Sequence, residues 1–231
     1  MKNVLIFVAG IFAVTKLHAS VVEGVSGTLI YSEGAGGSYN SLVYKSRNGM
    51  LLHVFDEGLK FDYDGRYDEG NLSPDKNYSI VYFTESGFLS GDNDAKGKEY
   101  KYYLCAFVRM ADGCVLSVET GQQCDGEWDE AGRWNSSIES NDGHLPRHPI
   151  TVDKIYEDYI SGSKDTVQVS APKILAYFPE GTSFDNLLAC DPPRKENVAI
   201  YGELMVLLGK DGDFVNFEKL KAIMRVSGNL Y

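Results

Sequence analysis

The sequence predicts an α+β fold, with a mostly antiparallel β-sheet in the first two thirds and two or three helices in the last third. Three observations support this prediction. Residues 1–135 contain short runs of alternating apolar and polar residues, separated by Gly, Asn and Asp, which is typical of antiparallel strands. The last third contains apolar residues at helical spacing. Four cysteines are expected to staple the fold with disulfides.

The first 19 residues have the layout of a secretory signal peptide. Lys2 precedes an unbroken apolar run over residues 4–14, and the small residue Ala19 ends the segment. This run is shorter than the roughly 20 residues that a permanent transmembrane helix needs. We expect cleavage after Ala19 and a single α+β domain over residues 20–231, with a possible sub-boundary in the linker 136–151. The predicted location is periplasmic or extracellular. A buried N-terminal strand or helix is the alternative.

The charge of the chain limits its partners. The full sequence has a net charge of −11, and removal of residues 1–19 leaves 20 basic and 33 acidic residues, a net charge of −13. Nucleic acids and anionic membrane surfaces require basic patches, so we expect neither as a partner. No later apolar run is long enough to span a bilayer, so the protein is not expected to be membrane-embedded. The acidity fits either solubility alone or a basic protein partner.

The first part of the chain contains one strong hairpin signal. Asn48 and Gly49 separate two apolar runs, 41–45 and 50–55, and both residues tolerate the positive φ of a tight turn. The other strands are expected over residues 25–33, 77–86, 100–110, 114–118, 124–128 and 132–135. Residues 87–97 are expected to be a polar loop.

The last part of the chain mixes predicted helices and strands. Helices are expected over 152–160, over 184–188 with Thr182 or Ser183 as the cap, and over 217–226. Residues 198–208 form the most apolar run after the signal segment and are expected to be a central strand. Two further strands are expected over residues 165–170 and 173–178.

Four cysteines in an exported chain predict two disulfides, for which three pairings exist. Three cysteines lie within residues 105–124, so every complete pairing joins one of them to Cys190 and ties the strand-rich part to the last third. We expect Cys114–Cys124 and Cys105–Cys190. Metal binding by the thiols is the weaker alternative, because no two cysteines have the Cys-x-x-Cys spacing.

No motif for covalent or metal-assisted catalysis is present. The sequence contains no G-x-S-x-G, S-x-x-K, H-E-x-x-H or phosphate-binding loop. We therefore predict no catalytic residue, no metal and no cofactor. His53 is expected to be half-buried and hydrogen-bonded within a strand. His144 and His148 flank Pro146, which favours an extended linker over a helical metal-binding pair.

A secreted hydrolase that acts on cell-wall or carbohydrate substrates is the alternative function. Its catalytic carboxylates would be positioned by the fold and not by sequence spacing. Trp128 and Trp134 could form a platform for a sugar ring, although the core is the expected place for Trp128. A structural or surface component is a third option.

The segment 56–75 is the strongest candidate for binding, because acidic residues and tyrosines alternate along it in an expected exposed loop. Carboxylates steer a basic partner, and large aromatic side chains dominate interface energies. Calcium binding is the alternative use, although the spacing does not match an EF-hand. We expect an exported, non-enzymatic binding protein, for example an inhibitor or immunity protein that blocks a basic toxin or lytic enzyme. The predicted partner-binding residues are Asp62, Tyr63, Asp64, Tyr67, Asp68 and Glu69.

Overall fold

The computed structural model describes residues 18–34, 36–62, 71–89, 98–136, 149–165 and 173–226. In these residues, eleven strands form three antiparallel sheets and four α-helices follow, which confirms the predicted α+β class. The strands are β1 (His18–Glu23), β2 (Gly27–Gly34), β3 (Ser38–Tyr39), β4 (Ser41–Ser46), β5 (Leu51–Leu52), β6 (Lys60–Asp62), β7 (Tyr78–Leu89), β8 (Lys98–Arg109), β9 (Val115–Thr120), β10 (Gly126–Trp128) and β11 (Trp134–Ser136).

A four-stranded sheet has the order β1-β2-β4-β5 and contains the predicted hairpin. Gly49 has a φ of 86°, a left-handed conformation in which a residue with a side chain would be strained. The turn is closed by the Ser46 amide, which donates to the Met50 carbonyl at 2.9 Å. The second strand of the hairpin is shorter than the predicted 50–55. It ends at Leu52, because the chain then turns and Phe55 pairs with Thr182.

A five-stranded sheet has the order β3-β6-β7-β8-β9 and is built around the long β7–β8 hairpin. Both strands are longer at the hairpin end than predicted, and β7 reaches Leu89, within the region that was expected to be a polar loop. The hairpin register places Tyr82 opposite Cys105. On the opposite face of β7, Phe83 packs with Phe61 and Phe55 in the core.

The β10–β11 hairpin forms the third sheet and covers one end of the five-stranded sheet with its tryptophans. Trp134 is only 1% exposed, lies 5.5 Å from the Phe107 ring, and donates from Nε1 to the Gln123 carbonyl at 2.9 Å. Trp128 is half-buried and lies 5.2 Å from the Trp134 ring. Trp128 therefore packs against the core, as expected, but it is less buried than Trp134.

The helices occupy the last third of the chain, as predicted. They are α1 (Val152–Asp165), α2 (Phe184–Cys190), α3 (Val198–Asp211) and α4 (Phe214–Val226), with a 3₁₀ turn at Ile174–Tyr177. Ser183 caps α2 by accepting a hydrogen bond from the Asp185 amide at 3.1 Å, as expected for a helix N-terminus. α1 continues to Asp165, beyond the predicted end at residue 160.

Two strand predictions in this region are wrong. Residues 198–208 belong to α3, whose buried residues Tyr201, Leu204 and Leu208 follow helical spacing. Residues 174–177, within the predicted strand 173–178, form the 3₁₀ turn. Of the predicted strand 165–170, Asp165 ends α1 and the remainder lies outside the described residues.

The disulfide pairing is also different from the predicted one. Cys105 bonds to Cys124 and Cys114 bonds to Cys190. The bond from the strand-rich part to Cys190 is confirmed, but its partner is Cys114. Cys105 lies on the face of β8 that it shares with Tyr82, towards the segment that precedes β10. Cys114 lies in the turn before β9, against α2.

Helix α2 joins the two halves of the protein. The core divides into a sheet cluster and a helical cluster; Ala189 packs in the first, and Leu187 packs in the second. The segment before α2 pairs with the chain after β5, because the Asp56 amide donates to the Gly181 carbonyl at 3.0 Å. The linker 136–151 is described only at its two ends, so the sub-boundary stays a prediction.

No helix within the described ranges is long and apolar enough to cross a membrane.

All four cysteines are oxidised. Disulfides persist in oxidising compartments, so this pairing indicates an exported protein.

Candidate binding groove

Asp62 is the one predicted partner-binding residue that the structure describes. Tyr63, Asp64, Tyr67, Asp68 and Glu69 lie outside the described residues.

Asp62 ends β6 at the surface of the five-stranded sheet. Its register partner on β7 is Tyr82, so both side chains project from the same face. The Asp62 side chain is exposed and is hydrogen-bonded to Ser38. Partial burial raises the pKa of Asp62 above its ordinary value, and the hydrogen bond from Ser38 opposes that rise. The carboxylate therefore lies at the edge of a partly desolvated surface.

A groove of about 700 Å³ opens beside Asp62 on this face. Tyr82 is half-buried at its floor, whereas Tyr103 is 71% exposed. Because Thr84 is the register partner of Tyr103, the two tyrosines share one face of the β7–β8 hairpin. The lining residues are Asp62, Asn71, Tyr82, Phe83, Tyr103, Leu104, Gly121, Cys124, Asp125, Gly126 and Glu127.

The groove is acidic. Asp125 and Glu127 are exposed on the wall opposite Asp62, and none of the described lining residues is basic. Lys60 lies one row further along the same face, where its ammonium donates to the Asn40 side-chain oxygen. Carboxylates on both walls create a negative potential, which the low-dielectric floor between them concentrates.

The wall that carries Asp125 and Glu127 is held in place by several contacts. The Cys105–Cys124 disulfide fixes it to β8, and the Tyr82 hydroxyl donates to the Cys124 carbonyl at 3.1 Å. The hydrogen bond from Trp134 to the carbonyl of Gln123 anchors the same segment from the other side. The groove is therefore preorganised by the fold and does not depend on a single loop.

Sequence reasoning missed Tyr82, Tyr103, Asp125 and Glu127. The alternation of side chains along β7 and β8 could have shown that Tyr82 and Tyr103 each point to one side of a sheet. It could not show that the two sides are the same, because that depends on the register of the hairpin.

A second cleft, of about 430 Å³, lies between the sheets and α4 and contains His53. His53 is exposed and follows β5, which corrects the expectation of a half-buried histidine within a strand. Its backbone amide donates to Asp185 Oδ2 at 3.0 Å, and the Lys219 ammonium donates to Asp185 Oδ1 at 2.7 Å. Within the described residues, no carboxylate is hydrogen-bonded to the His53 imidazole.

A carboxyl pair occurs near the same junction. The hydrogen bond between Glu85 and Glu180 raises the pKa of Glu85 above its ordinary value, and burial and the negative charges of Glu180 and Asp56 act in the same direction. Catalytic carboxyls of glycosidases are separated by about 5 Å or more, whereas this pair is in direct contact. Neither Glu85 nor Glu180 lines the groove or the His53 cleft. This pair therefore does not support glycoside hydrolysis.

In the part of the chain that the structure describes, no group of three His, Cys, Asp or Glu side chains could hold a metal ion. No protein-family model matches the chain, and neither a curated protein nor a solved structure matches it.

Proposed function

We propose that this chain is an exported, non-enzymatic binding protein that holds a basic protein partner in the acidic groove of its five-stranded sheet. The observation that supports the proposal is the composition of the groove. Three carboxylates and two tyrosines line it, and its described lining contains no basic side chain. Carboxylates attract a basic surface over a distance, and tyrosines supply contact area at low entropic cost.

The rigidity of the groove also supports binding. Disulfide and hydrogen bonds fix the wall that follows Cys124, so little conformational entropy is lost when a partner is bound. A protein that blocks a toxin or lytic enzyme benefits from such a surface, because tight inhibition needs a preformed site.

The predicted loop residues Tyr63, Asp64, Tyr67, Asp68 and Glu69 remain part of this proposal. They follow Asp62 directly in the sequence, and their composition matches that of the groove. We propose that the groove and these loop residues together form the binding surface of an inhibitor or immunity protein, which blocks a basic toxin or lytic enzyme.

A capture experiment tests the proposal. The immobilised protein is incubated with the periplasmic or extracellular proteins of its source, and we expect it to retain a protein of high isoelectric point. The triple variant D62N/D125N/E127Q should lose that protein. The matched control E157Q/E196Q/E203Q removes three exposed carboxylates from the helical part and should retain it. Equal capture by both triple variants would contradict the proposal.

A further inference from the structure

The outer face of the four-stranded sheet has no covering layer among the described residues. Its inner face packs in the core through Leu29, Tyr31, Leu42 and Tyr44. An antiparallel sheet covered on one side ordinarily presents polar residues on the other. Here the outward residues form an apolar row and a row with charged positions, and the polar pair Ser32 and Ser41 lies beyond the apolar row.

The apolar row consists of Val21, Ile30 and Val43. The register pairs Val21 with Ile30 and Ile30 with Val43, so the three side chains lie side by side on β1, β2 and β4. Val21 is 46% exposed, and Ile30 and Val43 are half-buried. Such a patch with a polar rim is typical of a protein–protein contact.

The second row is charged at two positions. The register pairs Glu23 with Thr28, Thr28 with Lys45, and Lys45 with Leu51. Glu23 and Lys45 are exposed and lie on strands separated by β2. Neither forms an ion pair with another described residue. The face therefore carries an acid on one side of β2 and a base on the other, at the same level along the strands.

This arrangement is complementary to itself. A two-fold axis parallel to β2 and just above the sheet would place β1 of one copy over β4 of a second copy, without a shift along the strands. Val21 then faces Val43 of the second copy, Ile30 faces its equivalent, and Glu23 faces Lys45. Sheets stack with their strands within about 30° of each other, which matches this geometry. Isologous contacts of this kind are the commonest in soluble oligomers.

We propose that two copies of this chain pack face to face through the outer face of the four-stranded sheet, with Glu23 of each copy opposite Lys45 of the other. The acidic groove belongs to the five-stranded sheet, so each copy keeps its groove outside this contact. The proposal is independent of the identity of any partner.

Sedimentation of the purified exported protein over a range of concentrations tests the proposal. We expect twice the mass of one chain. V43D should raise the dissociation constant by about tenfold or more, because it places a charge in the apolar row. E23K should have a similar effect, because it places a second positive charge opposite Lys45 of the other copy. The double variant E23K/K45E should return the constant to about the wild-type value.

The control E157K makes the same charge change on α1 and should leave the dimer unchanged. A monomer at every concentration would overturn the proposal, and a different protein would then be the candidate that covers this face. Failure of the double variant to restore the dimer would overturn the pairing of Glu23 with Lys45. If V43D does not fold, as judged by circular dichroism, the comparison of E23K with E23K/K45E still tests the proposed dimer.

Discussion

Asp185 and Lys219 form an ion pair of 2.7 Å at the junction of the sheets and helices, although the Asp185 side chain is only 6% exposed. The same carboxylate accepts a hydrogen bond from the His53 amide, so it joins α2, α4 and the chain after β5. Its removal would leave both donors without their partner. A carboxylate in this position is a structural link between the two apolar clusters.

We expect D185A to lower the free energy of unfolding by about 2 kcal/mol, because it removes the charged acceptor of the hydrogen bonds from the His53 amide and the Lys219 ammonium. Urea denaturation of both proteins measures this loss. E218A, which breaks the exposed Glu218–Lys221 pair on the same helix as Lys219, should cost less than about 0.5 kcal/mol. Similar losses in the two variants would show that Asp185 does not link the two clusters.

The two disulfides should contribute unequally. By chain entropy, the Cys114–Cys190 bond, with a separation of 76 residues, is worth about 4.5 kcal/mol and the Cys105–Cys124 bond, with a separation of 19, about 3 kcal/mol. We therefore expect the double variant C114A/C190A to be less stable than C105A/C124A in denaturant. Mass analysis of a non-reduced digest tests the pairing itself, and a peptide that joins Cys105 to Cys190 would contradict it.

Stability should depend on pH through Glu85. Its pKa is raised in the folded state, so its protonated form contributes stability fully below the unfolded value of about 4.5, and this contribution is lost as the pH rises through the folded value. E85Q keeps a neutral side chain that can donate to Glu180. We expect E85Q and the wild type to have similar stability below pH 4.5, with E85Q increasingly the more stable as the pH rises. Parallel stability curves over the whole range would show that the Glu85–Glu180 contact is absent.

The amino terminus of the exported protein should be Ser20. Cleavage after Ala19 would remove two residues of β1 and would keep the Ser20 hydroxyl in its 2.6 Å hydrogen bond with the Tyr39 hydroxyl. Buried Val22 would also remain in the core. Amino-terminal sequencing of protein recovered from the periplasm or medium checks this prediction, and recovery of the chain with residues 1–19 attached would contradict it.

Local signals in the sequence were sufficient for much of the fold. Asn48 and Gly49 identified a hairpin because the turn requires their backbone freedom. Thr182 and Ser183 identified a helix N-terminus because a hydroxyl there can accept from the first turn, and Ser183 is the residue that does so. In contrast, the run 198–208 is apolar at nearly every position, so its composition could not distinguish a central strand from a packed helix. The left-handed Gly212 at the end of α3 was the better signal.

The pairing of distant residues could not be predicted in the same way. Cys105 bonds to Cys124 because the register of β8 places the Cys105 side chain on the same face as Tyr82, where the segment that contains Cys124 lies. The groove has the same origin, since Asp62, Tyr82 and Glu127 are brought together by strands that are distant in sequence. Composition pointed to acidic residues and tyrosines as candidates for binding, but only the fold selects which of them share a surface.

The most direct test of the proposed function is the affinity of the captured basic partner for groove variants, measured by titration calorimetry. We expect D62N/D125N/E127Q to weaken binding by at least about tenfold, and E157Q/E196Q/E203Q to leave it nearly unchanged, although both variants change the net charge equally. The affinity of the wild type should fall as the salt concentration rises. Binding by the groove variant with the wild-type affinity would contradict the proposal that this groove is the binding site.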